Sequence, residues 1–425
     1  MLVGGTTIVQ IINVASSPLI TRVYGPESFG ILGIFLSLVS ILVPLSSFGY
    51  DYAIVIPKHG NEGSALVKLS TLLAVAFALL LLVVLSFGSQ SVAVHVGLHN
   101  HSDYLLLVPI AVLLGSLSQI LTKWCIREKK FRLISLSSVY QVVLVVSLKL
   151  AVGILWPKAI TLVLATLGGS GLRVALLKSG IGKGRVSVAH SLTTRHYNLR
   201  STAKKYKDFP LFQVPTTLAG RVGDAAPVIV VAAILGPMSA GFFALARRMV
   251  ALPSILVAES IGKVYRSSAA QALQQGESLV AKLKTVTLGL VAFGLLPYGI
   301  IILWGPALFG FVFGNEWDSA GHLARWLALW YLVHIAAGPA SESLLLTRRL
   351  QLRLLYAWIA NGLKIGSIII AARVSQDVLF TVIVFAVVGI INDIVLVVIA
   401  ITLLKRGDTF SRRTNSEQEN EQSIS

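Results

Sequence analysis

Residues 65–87 read ALVKLSTLLAVAFALLLLVVLSF, a stretch that carries one charge, Lys68, and neither glycine nor proline. At 1.5 Å per residue such a run reaches about 34 Å as a helix, enough to cross a hydrocarbon layer of about 30 Å. Inside that layer every backbone amide must be satisfied within the segment, and among unbranched single segments only the helix does this. The stretch therefore predicts a membrane-crossing helix. The same pattern recurs along the chain, at about 2–21, 29–49, 104–122, 133–155, 159–177, 209–235, 238–260, 283–304, 321–346, 354–372 and 378–404. With 65–87 these make about twelve crossings, an all-α polytopic membrane protein.

Composition agrees. Of 425 residues 55% are hydrophobic and only 13% charged, with a mean hydropathy of +0.80. A soluble domain needs about 25% charged residues to coat its surface. Lys and Arg number 36 against 18 Asp and Glu, a formal net charge of +18. Such a surplus in a soluble chain would suggest nucleic acid, but no soluble basic domain or zinc-finger spacing is present, and no nucleic-acid partner is expected. The surplus is better read as orientation. With the N-terminus in the cytoplasm, Lys58, the group from Lys123 to Arg132, the run from Lys178 to Lys207, Lys263, Arg266, Lys282, Lys284, Arg348, Arg349, Arg353 and Lys405 to Arg413 all lie inside. Only Arg22, Lys158 and Arg373 lie in outer connections, as the positive-inside rule requires. An even number of crossings puts both termini in the cytoplasm.

The basic connection 178–208 divides six helices from six, giving an N-lobe at 1–177, a C-lobe at 209–404 and a polar tail at 405–425 that is expected to be disordered. The longest outer connections are expected at Gly88 to Asp103 and Gly305 to Ala320. A repeat supports the division. Gly25-Pro26-Glu27-Ser28-Phe29-Gly30 follows the first helix, and Gly236-Pro237-Met238-Ser239-Ala240-Gly241 follows the seventh. Both read Gly-Pro-x-Ser-x-Gly. Equivalent places in two six-helix halves point to an ancestral duplication with parallel repeats.

Seven basic residues fall within the proposed helices: Lys149, Arg173, Arg221, Arg247, Arg248, Arg325 and Lys364. A charge at mid-helix in lipid costs on the order of 2.5–3.5 kcal/mol on insertion scales. Lys149, Arg173 and Arg325 sit near helix ends, where long side chains reach the interface. Arg221, Arg248 and Lys364 lie too deep for that and are candidates to meet an anion; Arg247 points about 100° away from Arg248. Arg221 and Asp224, three residues apart, can also neutralise each other. The buried acids Asp51, Asp224, Glu342 and Asp393 are the candidates for coupling to H+ or Na+, since a carboxylate there can carry either; each can equally serve as partner to a nearby arginine. No other cofactor is expected. Cys125 is the only thiol, so no intrachain disulfide or cysteine metal cluster exists. No Walker loop, nucleophile elbow or His-x-x-x-His pair occurs, and the chain is read as a non-enzyme. The first apolar block has no basic n-region and no cleavage site after it, and is read as a retained crossing.

Ser17-Pro18-Leu19-Ile20-Thr21-Arg22-Val23-Tyr24-Gly25-Pro26-Glu27-Ser28-Phe29-Gly30 and Asp51-Tyr52-Ala53-Ile54-Val55-Ile56-Pro57 resemble the start of bacterial polysaccharide-repeat (O-antigen type) flippases. These belong to the multidrug/oligosaccharidyl-lipid/polysaccharide exporter (MOP) superfamily. Trp124 to Phe131, Gly241 to Met249 and Phe313 to Trp317 extend the resemblance over nearly the whole chain. It implies a V-shaped bundle of two six-helix lobes around a cationic cavity, resembling that of multidrug (MATE) exporters. It also implies inner-to-outer-leaflet movement of undecaprenyl-diphosphate-linked oligosaccharide in the bacterial cytoplasmic membrane, with Arg22 and Arg248 as its family-matched arginines. Its implied partners are membrane lipid, the lipid-linked oligosaccharide, and the polysaccharide polymerase and chain-length machinery. Relatives often carry glutamate where this chain has Asp51. A drug or cation antiporter of the same superfamily would share the architecture but should have an acidic pocket. A polytopic enzyme of polysaccharide assembly should have a large outer catalytic loop.

Overall fold

The computed structural model describes residues 2–57, 60–99, 101–182, 198–274, 278–346 and 350–424, with side chains described except at 2–4, 60, 256–264, 266, 270, 272–274, 345–346, 350 and 406–424. Its long helices are α1 (Leu2–Val23), α2 (Pro26–Ser46), α3 (Gly60–Val96), α4 (Val108–Arg127), α5 (Phe131–Gly153), α6 (Ala159–Gly182), α7 (214–235), α8 (237–274), α9 (Leu279–Phe313), α10 (Asp318–Leu346), α11 (Leu350–Ser375) and α12 (Val378–Ile424). Each apolar block of the sequence falls largely within one of them. Helices α7 and α8 form one run, Val214–Gln274, broken only at Gly236 (φ 87°, ψ 167°). That left-handed region is open to glycine at little cost.

Nine described segments are long and apolar enough to cross a bilayer, and one of them, Phe209–Ile255, takes in α7 and part of α8. The chain is thus an all-helical, multi-pass membrane protein. Helices α1 and α10 are not among the nine. The side chains of Leu2, Val3 and Gly4, at the start of the first, lie outside the described residues, and His322, Arg325, His334 and Glu342 interrupt the apolar run of the other.

Two local readings are corrected. The connection expected from Gly88 is helical as far as Val96. The one expected from Gly305 is helical as far as Phe313, the helix running on through Gly305 and Pro306. Helix α12 runs on through Lys405 to Ile424, over residues among which Glu, Gln and Arg are good helix formers. Of the basic connection, 183–197 lies outside the described residues, and 199–205 forms the short helix Leu199–Lys205.

The chain forms two compact units, Met1–Ala244 with Val312–Glu316, and Leu245–Phe311 with Trp317–Ser425. In the first, α1 packs on α5, α5 on α6, and α4 on α2, α3 and α6. Its core gathers Leu66, Val67, Ile120, Trp124, Leu177 and Ile181. In the second, α12 packs on α10 and α11, around Tyr265, Leu283, Leu344, Leu396 and Ala400.

The two Gly-Pro turns meet inside the first unit. A methyl at Gly30 would lie 2.6 Å from the carbonyl carbon of Pro237 and 3.0 Å from the amide nitrogen of Gly241. At Gly241 it would lie 2.8 Å from the carbonyl carbon of Pro26 and 3.0 Å from the amide nitrogen of Gly30. Helix starts α2 and α8 touch backbone to backbone, and the contact is reciprocal. This explains the small residue at the end of both copies: anything larger than hydrogen would part the helices.

Candidate functional site

Arg221 and Asp224 occupy α7, one turn apart, and both side chains are exposed. Arg22, at the end of α1, is exposed too, with its stem beside Gly314. In the second unit Arg248 is exposed while its neighbour Arg247 is half-buried, so the rotation along α8 separates them as the sequence implied. Arg248 stands eleven residues past Pro237, about 16 Å along the helix from the Gly-Pro turn. The shallower basic residues find partners in protein. Arg325 Nη2 donates to the Leu303 carbonyl at 2.8 Å, and Arg173 Nη1 donates to Gln141 Oε1 at 3.4 Å.

The acids fall in different settings. Glu342 of α10 faces Arg353 Nη2 of α11 at 3.9 Å. Asp51 lies beyond the end of α2, in the short turn Tyr50–Ala53. The Ser47 hydroxyl donates to its Oδ1 at 2.6 Å, while its buried Oδ2 has no hydrogen-bond partner. Burial lifts the Asp51 carboxyl above the usual range, against the pull of the Ser47 hydrogen bond and the Lys123 charge. Lys123 Nζ sits over the Tyr52 ring, 4.5 Å from its centre.

Close by, the start of α3 is tied to the chain that enters α7. Buried Glu62 pairs with Lys205 and accepts from the Tyr206 hydroxyl at 3.2 Å. The Tyr50 hydroxyl donates to the Ala203 carbonyl at 3.3 Å, and Arg127 Nη1 donates to the Ile54 carbonyl at 2.9 Å.

The most connected polar cluster uses three helices of the second unit. Asp393 on α12 accepts from the Trp330 indole Nε1 of α10 at 2.8 Å and faces His334 Nδ1, one turn further along α10, at 3.1 Å. Lys364 of α11 sits with Nζ 5.3 Å from the centre of the Trp330 ring, a cation–π contact. Trp330 is fixed by Phe385, whose ring stands edge-on at 5.0 Å, and by Gly389, where a methyl would come within 2.6 Å of the indole. Asn392, the residue before Asp393, ties α11 in: its Nδ2 donates to the Ala360 carbonyl at 3.1 Å and its own carbonyl accepts from Tyr356. Lys364 and Asp393, chosen separately from the sequence, are thus brought together through one indole. Trp330 and His334 were not singled out. Their i, i+4 spacing put them on one face of a helix in an apolar block, the only local signal available.

Among the described residues no group of three or more His, Cys, Asp or Glu is placed to hold a metal ion. Cys125 is buried.

The arrangement of helices is that of known membrane transporters. The chain is similar to the inward-facing structure of a multidrug resistance MATE family transporter of the MOP superfamily, at 16% identity over 94% of this chain and 96% of that one, with a TM-score of 0.73. It is similar also to the lipid II flippase MurJ in an inward closed conformation, at 12% identity over 96% and 90%, TM-score 0.68. A MOP superfamily transporter from Pyrococcus furiosus, described as having a binding pocket of reverse polarity that suggests a different function, matches at 15% identity over 94% of each chain, TM-score 0.54. At these identities the likeness establishes the fold, that of MATE and MurJ proteins. Sequence narrows it further. The family described as "Polysaccharide biosynthesis protein" matches residues 19–321, and the chain belongs to that family. No curated protein matches it in sequence.

Proposed function

We propose that this protein is a flippase that moves undecaprenyl-diphosphate-linked oligosaccharide repeat units from the inner to the outer leaflet of the bacterial cytoplasmic membrane. The product would serve O-antigen, capsule or exopolysaccharide synthesis, handed to a polymerase and its chain-length machinery. The observation that carries this reading is the exposure of Arg221 and Arg248 on helices otherwise apolar enough to cross a bilayer.

A diphosphate stripped of water in a low-dielectric layer is prohibitively costly unless other groups replace that water. Arginine stays charged and meets phosphate oxygens two at a time. In this reading the diphosphate passes along Arg221, Arg248 and Lys364, with Arg22 as a further contact, and the polyprenyl tail stays in lipid. Two lobes, helices one to six and seven to twelve, rock to expose the path alternately to either side. Membership of a polysaccharide-biosynthesis family and a fold shared with a lipid II flippase support a lipid-linked sugar as the cargo. They leave the sugar itself open. A cation antiporter would need acids where these arginines stand.

Reconstitution in vesicles with defined lipid-linked oligosaccharides tests it, scoring inner-to-outer transfer with and without an H+ or Na+ gradient. Transfer is expected for the wild type, and a loss of at least about tenfold for Arg248→Ala or Arg221→Ala, the size of one lost charge-assisted contact. Transport of a cationic dye but of no glycolipid would overturn the assignment.

A further inference from the structure

The reading above uses Lys364 and leaves its neighbours His334, Trp330 and Asp393 without a task. Their geometry fixes where hydrogens lie. An ionised carboxylate accepts hydrogen bonds and donates none. Asp393 Oδ2 already receives the indole N–H at 2.8 Å, and His334 Nδ1 lies 3.3 Å from Oδ1 and 3.1 Å from Oδ2. The histidine hydrogen therefore sits on Nδ1, and Nε2 keeps its lone pair. The Asp393 side chain is 13% exposed and that of His334 50%, so the carboxylate is enclosed while the ring retains an open edge.

We propose that His334 Nε2 is a proton-binding site whose occupancy strengthens the binding of a diphosphate at Lys364. A hydronium ion gives up one proton, water leaves, and a new N–H bond forms at Nε2. The Nδ1–H···Asp393 contact survives and becomes an ion pair. Without that proton, Lys364 and Asp393 sum to zero charge across the indole; with it the cluster carries +1. By linkage, a bound anion then raises the proton affinity of His334 by the same factor. A proton suits this site better than Na+, because both carboxylate oxygens face nitrogen donors and the indole that binds one of them already carries an ammonium on its face. Around the cluster stand three phenols: Tyr331 of α10, its ring 5.8 Å from that of His334, Tyr356 of α11, held by the Asn392 carbonyl, and Tyr298 of α9, which is buried; further along the same helices His322 pairs with Asp318, Arg325 donates to the Leu303 carbonyl and Glu342 faces Arg353.

The anion half of this proposal rests on the flippase reading; the proton half does not. The test uses the full chain in lipid nanodiscs with nitrogen-15 histidine, following the ring nitrogens by NMR between about pH 5 and pH 8.5, the range in which imidazole titrates. The His334 signals are identified by their loss in His334→Gln. They should titrate at Nε2 with Nδ1 protonated throughout; a ring that stays in one state over the range, or that titrates at Nδ1, overturns the proton site. Binding of undecaprenyl diphosphate is then measured at both ends of the range. We expect the wild type to bind on the order of tenfold more tightly at the acid end, as a unit charge roughly 10 Å away would give, and His334→Gln to lose that difference while folding normally. Equal affinity at both ends, with His334 titrating, overturns the linkage. No diphosphate binding at either end, with His334 titrating, refutes the cargo and the linkage together and leaves the proton site supported.

Discussion

Adding one methyl group at the Gly30–Gly241 contact puts the reciprocal turn to a sharp test. In Gly30→Ala the new carbon would lie 2.6 Å from the Pro237 carbonyl carbon, where carbon atoms ordinarily rest about 3.5–4.0 Å apart. The obstacle is backbone on both sides, so no side chain can swing away and the two helix starts must separate by roughly 1 Å. Overpacking of this kind costs about 1–3 kcal/mol. By extrapolating the size dependence of melting, that should lower the transition of this chain by roughly 1–6 °C. Gly241→Ala should cost about the same, since its methyl would meet Pro26 in the mirror position. The distinctive expectation concerns the double variant. One separation of the helices relieves both clashes, so its loss should be nearer to a single cost than to the sum, a coupling of about 1–3 kcal/mol of the kind contacting sites show. Gly289→Ala, inside α9 with a methyl that meets nothing within 4 Å, is the control and should be as stable as wild type or more so, by up to about 1 kcal/mol, since alanine favours helix over glycine. Melting of the purified proteins in one detergent, followed by tryptophan fluorescence, reads all four. Full additivity of the two substitutions, or single variants as stable as the control, would refute the contact.

Asp51 and Glu62 supply two further tests. Burial holds the Asp51 carboxyl above its ordinary value, so ionising it opposes folding. The penalty is absent below the unfolded value of about pH 4, grows as pH rises, and is complete above the folded value. Asp51→Asn should therefore melt higher than wild type at neutral pH and gain nothing in acid; a gain that does not vary with pH would refute this. Glu62→Ala leaves Lys205 and the Tyr206 hydroxyl without their shared acceptor. Discounted for the exposure of Lys205, the loss is about 1–2 kcal/mol, up to about thirtyfold in the population of the undocked helix. Trypsin should cut around Lys204 and Lys205 faster by that order in the full-length protein, with unchanged cutting as the refuting result.

Much of the fold was legible because a run such as 65–87 admits one structure in lipid. The repeated Gly-Pro turn was legible as a pattern, and its glycines pointed to a tight place. That the two copies touch each other was not, since the contact joins residues 211 positions apart and nothing local to either encodes it. Sequence rules also ended helices too early. The chain was expected to leave the helix at Gly88 and at Gly305, yet it stays helical to Val96 and to Phe313. At the candidate site the deep cations could be named, because a charge amid apolar residues stands out. His334 could not be ranked above the other histidines. Its significance comes from Asp393, on a helix that meets α10 only after folding, and from an indole whose seat is a missing side chain at Gly389.

The reciprocal turn bears also on how such a chain can change over time. Two copies of a duplicated segment are ordinarily free to drift apart, each answering to its own surroundings. Here each copy is the other's surroundings. A substitution tolerated at position 30 must suit the backbone at 237, and one at 241 must suit the backbone at 26, so neither can wander alone. The short motif that the two turns share thus records a mutual constraint, whatever else it records.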